Sequence, residues 1–469
     1  MTDIDHALLE AYLVRTRWFG GKGRPFRVSD VRVLAELADA AHPDTIVCLV
    51  TVAYTDEEDG IERYQVPLAV YDEIEDRIGH AYVGPVTHHE RPRHLYDALH
   101  DREAMQWWLD GFIAAEAEGT SDAAGLRFRR VSGGGALDPE LRSSPMTGEQ
   151  SNSSVRYDDV AIMKLFRKVS PGINPDIEIH EELTTAGSEH VAALFGWVET
   201  DIDGETLQLA MLQEFLRTAA DGFELALGSV RTLLADPEQS IDGSGGDFGG
   251  EAARLGEALA DVHGTLRERF PAERRGPDSA SELGRTMTAR LDAALRVVPE
   301  LAEIAPRLRE VYAAVAAADG LDVQRIHGDL HLGQTLRTAH GWRIVDFEGE
   351  PGRPFADRAL PDSPWRDVAG MLRSFDYATG VVEMSQSSTT EQERELLFER
   401  ARQWSERARR SFVDAYVAAG SFTEDESARR ALLDAYVADK AVYEAVYEKR
   451  NRPAWAAIPL AALAEIASA

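Results

Sequence analysis

The densest run of groups able to do chemistry is Gln324-Arg325-Ile326-His327-Gly328-Asp329-Leu330-His331-Leu332-Gly333-Gln334. A second acidic motif, Ile344-Val345-Asp346-Phe347-Glu348-Gly349-Glu350, follows shortly after. Between them lie two short strand-like runs, TLRT and WRIV, around a turn at Ala339-His340-Gly341. A hairpin returns the chain to its start, so Asp346 is expected near Gln334 and Asp329. Two carboxylates and one amide oxygen then face a common point, a hard-oxygen set suited to Mg²⁺ rather than zinc. Taken alone, His-Gly-Asp reads as a turn with a capping aspartate. The second acidic motif at hairpin distance makes that the minority view.

Two chemistries compete for this cluster. His327, Asp329 and His331 alternate, as in hydrolases that hold a transition metal through histidine and aspartate. That chemistry needs further ligands elsewhere. The pair His88-His89 shows none of the expected company in sequence, and His263 lies alone on a helix that packs it. Phosphoryl transfer instead needs an aspartate to orient an acceptor hydroxyl, metal ligands after it, and a lysine on a separate sheet for nucleotide phosphates. The chain offers these. Lys164 sits in the strand AIMKLF, and upstream the turn Gln150-Ser151-Asn152-Ser153-Ser154 presents backbone N–H groups and hydroxyls that can cradle phosphate. Glu178, on the next predicted helix, is the expected partner of Lys164. In this context phosphoryl transfer is favoured.

The elements that must position these groups follow from periodicity. Residues 4–16 read as a helix, and valine-rich runs near 30–36, 45–54 and 62–71 as strands. A second β-rich stretch begins near 126, with a hairpin turning at Asp158-Asp159, a helix near 175–187 and the strand ETLQLAMLQEF. From about residue 221 the pattern becomes long amphipathic helices, and residues 240–250 read as a flexible loop. Two β-rich units before a helical one is α+β order, not alternating βα. The expected division is 1–106, 107–216 and 217–469.

Composition narrows the function classes. The 469 residues carry 50 basic and 81 acidic side chains, a net charge of −31. Such a chain is no candidate for non-specific nucleic-acid or anionic-membrane binding. Its one cysteine, Cys48, cannot form an internal disulfide. The acidic start MTDIDHALLE shows no signal peptide, and TIVCLVTVAY is too short to span a bilayer, so a cytoplasmic location is expected. Only five of the basic residues are lysines: Lys22, Lys164, Lys168, Lys440 and Lys449. In an arginine-rich chain, a retained lysine points to a need for a compact ammonium. Lys22, in RWFGGKG, lacks the spacing of a phosphate loop.

With Lys164 upstream, His327-Gly328-Asp329, Gln334 and Asp346-Phe347-Glu348-Gly349-Glu350 resemble the aminoglycoside-phosphotransferase branch of eukaryotic-like kinases. The resemblance is closer to the actinobacterial maltokinases, through RWFGGKGRP, EQSNSSV, INPDIEIH, SPWRDVAGMLRSFDYA and DKAVYEAVYEKRNRPAW. It implies a bilobal protein-kinase-like fold: an N-terminal α+β cap, a β-rich intermediate subdomain and a mostly helical C-lobe. It also implies ATP- and Mg²⁺-dependent phosphorylation of maltose to maltose 1-phosphate, feeding α-glucan synthesis. By that carry-over Asp329 is the catalytic base, Gln334 and Asp346 hold Mg²⁺, and Lys164, oriented by Glu178, contacts the α/β-phosphates. Backbone groups of Gln213, Glu214, Phe215 and Leu216 would form the adenine hinge. Gln334 stands where the wider superfamily has asparagine, and serine and asparagine replace its glycine-rich loop.

On the substrate side, Tyr443-Glu444 and Tyr447-Glu448 repeat at i, i+4, which puts both tyrosines on one helix face and both glutamates on an adjoining one. Acid-plus-aromatic surfaces suit sugars, so these four, Arg450 and His331 are the expected sugar contacts. Asp367 is expected to brace the catalytic loop. The competing expectations are a glucosamine kinase of the same fold and a non-catalytic kinase-like scaffold. The resemblance leaves a monomer or homodimer open, and association with a trehalose/maltose isomerase would fit the implied pathway.

Overall fold

The structure is a computed structural model that describes residues 4–38, 42–55, 60–132, 134–146, 151–217, 219–235, 240–385 and 390–468. Its contacts divide the chain into two units, Met1–Thr185 with Ala192–Arg217, and Ala186–Val191 with Thr218–Ala469.

The first unit opens with α1 (His6–Arg15), started by the Asp5 carboxylate accepting a hydrogen bond from the Ala7 N–H. Strands β1 (Phe26–Leu37), β2 (Asp44–Tyr54), β3 (Ile61–Tyr71), β4 (Tyr82–His88) and β5 (Arg91–Asp97) form an antiparallel sheet in the order β1-β2-β3-β5-β4. β2 and β3 are buried over most of their length, which is why their sequences are nearly continuous apolar runs. β4 and β5 escape periodicity because prolines and charged residues interrupt them. Pro85 is tolerated because β4 is an edge strand.

Helix α2 (Arg102–Ala114) is capped by Asp101 and buries Met105, Trp108, Leu109 and Phe112. A seven-stranded sheet follows, made of β6 (Thr120–Ala123), β7 (Leu126–Arg130), β8 (Ser143–Pro145), β9 (Ser153–Tyr157), β10 (Ala161–Leu165), β11 (Leu194–Ile202) and β12 (Glu205–Glu214). Its order is β6-β7-β11-β12-β10-β9-β8, with α3 (Pro175–Thr185) after β10. One apolar core runs from Val47 and Leu49 of β2 through Trp108 and Phe112 to Phe128 and Leu165. That shared core joins the two β-rich segments, which the sequence reading separated at 106/107, into a single unit.

The second unit is mostly helical: β13 (Ala220–Asp221), α4 (Gly222–Ala235), α5 (Gly249–Arg269), β14 (Glu273–Arg275), α6 (Pro277–Ala294), α7 (Ala305–Ala316), β15 (Leu321–Val323), β16 (Thr335–Thr338) and β17 (Gly341–Ile344). Then come α8 (Phe355–Arg358), α9 (Trp365–Ser385), α10 (Glu391–Ala419), α11 (Glu426–Asn451) and α12 (Ala457–Ser468). Phe248, Phe375, Trp404 and Phe412 pack ring against ring where α5, α9 and α10 meet. The segment read as a loop over 240–250 is more ordered than its glycines suggest. Ser240 caps a short 3₁₀ turn, Arg407 holds the Asp247 carboxylate, and α5 starts at Gly249. Among the described residues no helix is long and apolar enough to cross a membrane.

Candidate active site

In the second unit the hairpin β16–β17 pairs Thr335 with Ile344, and the Val345 N–H donates to the Gln334 carbonyl just beyond it. The next side chains therefore meet: Gln334 Nε2 donates to Asp346 Oδ2 at 2.9 Å. Asp346 has φ 68°, a left-handed backbone that an aspartate adopts only where its surroundings hold it. A carboxylate beside an amide oxygen is a donor set that fits Mg²⁺.

The loop carrying Asp329 is pinned from three sides. The carboxylate of Asp367, near the start of α9, accepts hydrogen bonds from the His327 and Gly328 N–H groups, each at 2.8 Å. His327 Nε2 lies 3.0 Å from the Val345 carbonyl and its ring packs on Phe347. Gly328 has φ 87°, which a residue with a Cβ would adopt only with strain. His263 is not idle core either: its Nε2 is 3.0 Å from Asp367 Oδ2 and its Nδ1 2.8 Å from the Tyr416 hydroxyl. Burial would raise the Asp367 pKa, but His263 first, then the His327 ring and the Gly328 N–H, outweigh it and lower the pKa.

Asp329 has a partner that sequence reasoning missed. Lys440, on α11, places Nζ 3.0 Å from Asp329 Oδ1. Burial works against the charge on both groups, yet their attraction prevails: the Asp329 pKa is lowered and that of Lys440 raised. His331 stands close by, its pKa lowered chiefly by burial. The signal for Lys440 was present, as one of five lysines within a motif-rich helix. Its partner lies 111 residues away, and no local pattern carries that pairing.

Asp329, His331 and Lys440 line a cavity of about 950 Å³ whose far wall includes Tyr443, Tyr447 and Trp455. Tyr443 and Tyr447 stack with ring centroids 6.4 Å apart and remain 45% exposed. Glu444 and Glu448 are not solvated. Glu444 takes the Arg373 guanidinium at 2.8 Å, and Glu448 accepts from Arg452 and the Tyr377 hydroxyl. Arg450, expected as a sugar contact, is exposed and is not among the residues lining this cavity, whereas Arg452 is, with its guanidinium over Trp455. At the end of α11, two residues decide which arginine turns inward.

In the first unit, Lys164 Nζ lies 2.9 Å from Asp176 Oδ2, both groups shielded from solvent. The sequence reading gave this role to Glu178. Asp176 precedes it by two residues, about 200° around the same helix, so the two carboxylates leave α3 in opposite directions. Asp176 is buried and its pKa strongly lowered: burial opposes the charge, but Lys164 and His180 overcome it. The serine turn is also redrawn. Opposite Lys164 on β9 stands Ser154, while Ser153 pairs with Leu165 and its hydroxyl accepts from Arg167 Nε at 2.8 Å. Side chains alternate along a strand, so Ser153 points away from the lysine face. Ser151 is exposed, Asn152 is buried, and Gln150 lies outside the described residues. At the end of β12, the N–H groups of Glu214 and Phe215 donate to the Ala193 and Val160 carbonyls. Of the segment 213–216, those two donors are therefore spent within the sheet.

Comparison with known proteins sets this geometry in context. Residues 12–101 match the maltokinase N-terminal cap domain, and residues 247–433 match the phosphotransferase enzyme family. The chain thus couples a cap of the first kind to a C-terminal part of the second. A glucosamine kinase from Streptacidiphilus jiangxiensis is 29% identical over 349 residues, 70% of this chain and 76% of the relative. A second, from Mycolicibacterium smegmatis, is 27% identical over 68% of this chain and 78% of the relative. The structure of a glucosamine kinase in complex with glucosamine, ADP and inorganic phosphate shares the fold. The match has a TM-score of 0.68 and 23% identity, and covers 99% of this chain and 100% of that one.

Proposed function

We propose that the chain is an ATP-dependent sugar kinase that phosphorylates maltose at its anomeric hydroxyl, giving maltose 1-phosphate. The observation that supports the reading is Asp329, on a loop held by Asp367 and paired with Lys440, lining a cavity that tyrosines and a tryptophan also line. Its depressed pKa keeps Asp329 ionised near neutrality, so it can accept a hydrogen bond from a sugar hydroxyl and then its proton. Gln334 and Asp346 would hold Mg²⁺, which neutralises phosphate charge when bound. Lys164, held by Asp176, is the compact cation offered to nucleotide phosphates. The chain's part in catalysis is then positioning and charge placement.

Two features favour maltose over glucosamine. The cavity is near the top of the range for small-molecule sites, roomier than a single sugar ring needs. Lys440 also places an ammonium against Asp329, where the amine of an amino sugar would meet like charge. Coupled ADP-release assays on maltose, glucose, glucosamine and an aminoglycoside test the reading. The expected result is turnover fastest with maltose. Turnover confined to glucosamine would refute the substrate, and none with any sugar would refute the kinase.

A further inference from the structure

The cap sheet gathers four metal-ligand side chains at one corner, far in sequence from every group used above. His88 ends β4, and His89 with Glu90 makes the turn into β5. Neighbouring strand side chains ordinarily point to opposite faces. Here His89 and Glu90 have φ of 46° and 64°, left-handed at two successive residues that are neither glycine nor asparagine. The turn swings His89 back beside His88, with ring centroids 4.1 Å apart. Both rings face Glu36 of β1: His89 Nε2 is 2.5 Å from Glu36 Oε1, and His88 Nε2 is 3.7 Å from the same oxygen. Asp44, the first residue of β2, puts Oδ2 3.7 Å from His88 Nε2. One ligand atom from each of Glu36, His88 and His89 lies within 4.8 Å of the others.

β1 and β4 are the two ends of the strand order, four strand spacings apart, or about 19 Å in a flat sheet. Contact between Glu36 and the histidines means that the sheet curls until its edges approach. The cluster sits at that closure.

We propose that this corner binds a divalent transition-metal ion of the zinc class, with His88, His89 and Glu36 as its three protein ligands and Asp44 beside His88. The ion would clasp the two edge strands of the cap. Donors bound to zinc at tetrahedral positions sit about 3.4 Å apart. The two 3.7 Å separations are close to that, and the His89–Glu36 contact must open by about 0.9 Å. His89 is exposed and can move that far. Two imidazole nitrogens beside a carboxylate select against Mg²⁺ and for a zinc-class ion. Arg93 faces Asp44 at 3.8 Å, but its Nε is bound to Asp72 at 2.7 Å, which offsets its charge.

The test is calorimetric titration of chelator-treated full-length protein with Zn²⁺, in excess Mg²⁺ so that the hard-oxygen site is filled. Thermal melts and the visible spectrum of a Co²⁺ derivative would accompany it. Expected are one equivalent of Zn²⁺ at micromolar or tighter affinity, a raised melting temperature, and tetrahedral Co²⁺ absorption. His88 is fully buried, so its replacement risks the fold. His89→Asn and Glu36→Gln are the informative variants, because asparagine tolerates the left-handed turn and glutamine keeps the size of the side chain. Each should weaken binding at least about tenfold while leaving the metal-free melting temperature near that of the parent. No binding tighter than millimolar, or unchanged affinity in both variants, would overturn the site.

Discussion

Replacing Lys440 by methionine removes one charge at nearly constant volume and leaves Asp329 buried without its counter-ion. Nζ lies 3.0 Å from Oδ1, and burial already pushes the carboxyl toward its neutral form. An opposite charge this close lowers a carboxyl pKa by about 1–3 units, equivalent to about 1.4–4 kcal/mol. Loss of Lys440 should therefore raise the Asp329 pKa. Asp329 must be ionised to accept the hydroxyl proton, so the acid limb of kcat/KM against pH should move up by about 1–3 units. At pH 8 most of the activity lost to protonation should return. The assay is coupled ADP release with saturating ATP and maltose below KM, across the pH range of enzyme stability. The same variant should also discriminate less against glucosamine, since the like charge is gone. An acid limb that stays within about 0.3 unit of the parent's would refute the argument that Lys440 sets the charge of the base.

Asp329→Asn should lower kcat by about 10²–10⁴ with the far-ultraviolet spectrum unchanged, and a parental rate would remove Asp329 from the base's role. Asp176→Asn removes the buried carboxylate paired with Lys164 and should cost up to about 3–5 kcal/mol at neutral pH by urea unfolding. The folded-state pKa of Asp176 is depressed, so its stabilisation is full above the unfolded value near 3.9 and fades as pH falls through the folded value. The stability gap between parent and variant should accordingly narrow at acid pH, and a gap that widens there would contradict the assignment. Trp455→Ala removes a cavity wall held by Arg452 and Tyr377 and should raise KM for maltose about tenfold, with a smaller change for glucose. Equal effects on both sugars would place Trp455 outside the second-ring contact.

What could be read from the sequence was whatever a local pattern encodes. The β16–β17 hairpin brings Gln334 onto Asp346 because its turn is short and its register forced. α3 was visible, but which of its two carboxylates meets Lys164 depends on the angle at which the helix leaves its loop. There the side-chain carbonyl of Asn174 accepts from the Asp176 N–H and fixes the first turn. His263 and Asp367 are 104 residues apart, and Lys440 and Asp329 111 apart. Such pairs arise from helix packing, and no sequence window contains both partners. β4 was invisible for a different reason. Its two prolines' worth of interruption with β5, at Pro85 and Pro92, its polar end at His88-His89 and a register shift between Tyr82 and Gly84 hide the alternation.

The lysines separate by burial, and the separation follows what each must leave free. Lys168 and Lys449 bond Glu62 and Glu300 at exposed positions, where an ion pair contributes little and arginine would serve as well. Lys164 and Lys440 are the shielded pair, each on a single carboxylate oxygen of Asp176 and Asp329. An arginine at 440 would offer a planar fork that claims both oxygens of Asp329. The ammonium takes Oδ1 alone, so Oδ2 stays open to an acceptor hydroxyl while the carboxylate is still held charged. At Lys164 the ammonium meets Asp176 Oδ2 at 2.9 Å, a fixed carboxylate that holds the cation in place on its strand. In a chain that uses arginine for 45 of its 50 cations, Lys164 and Lys440 are the two lysines that set a compact, shielded charge against a fixed carboxylate.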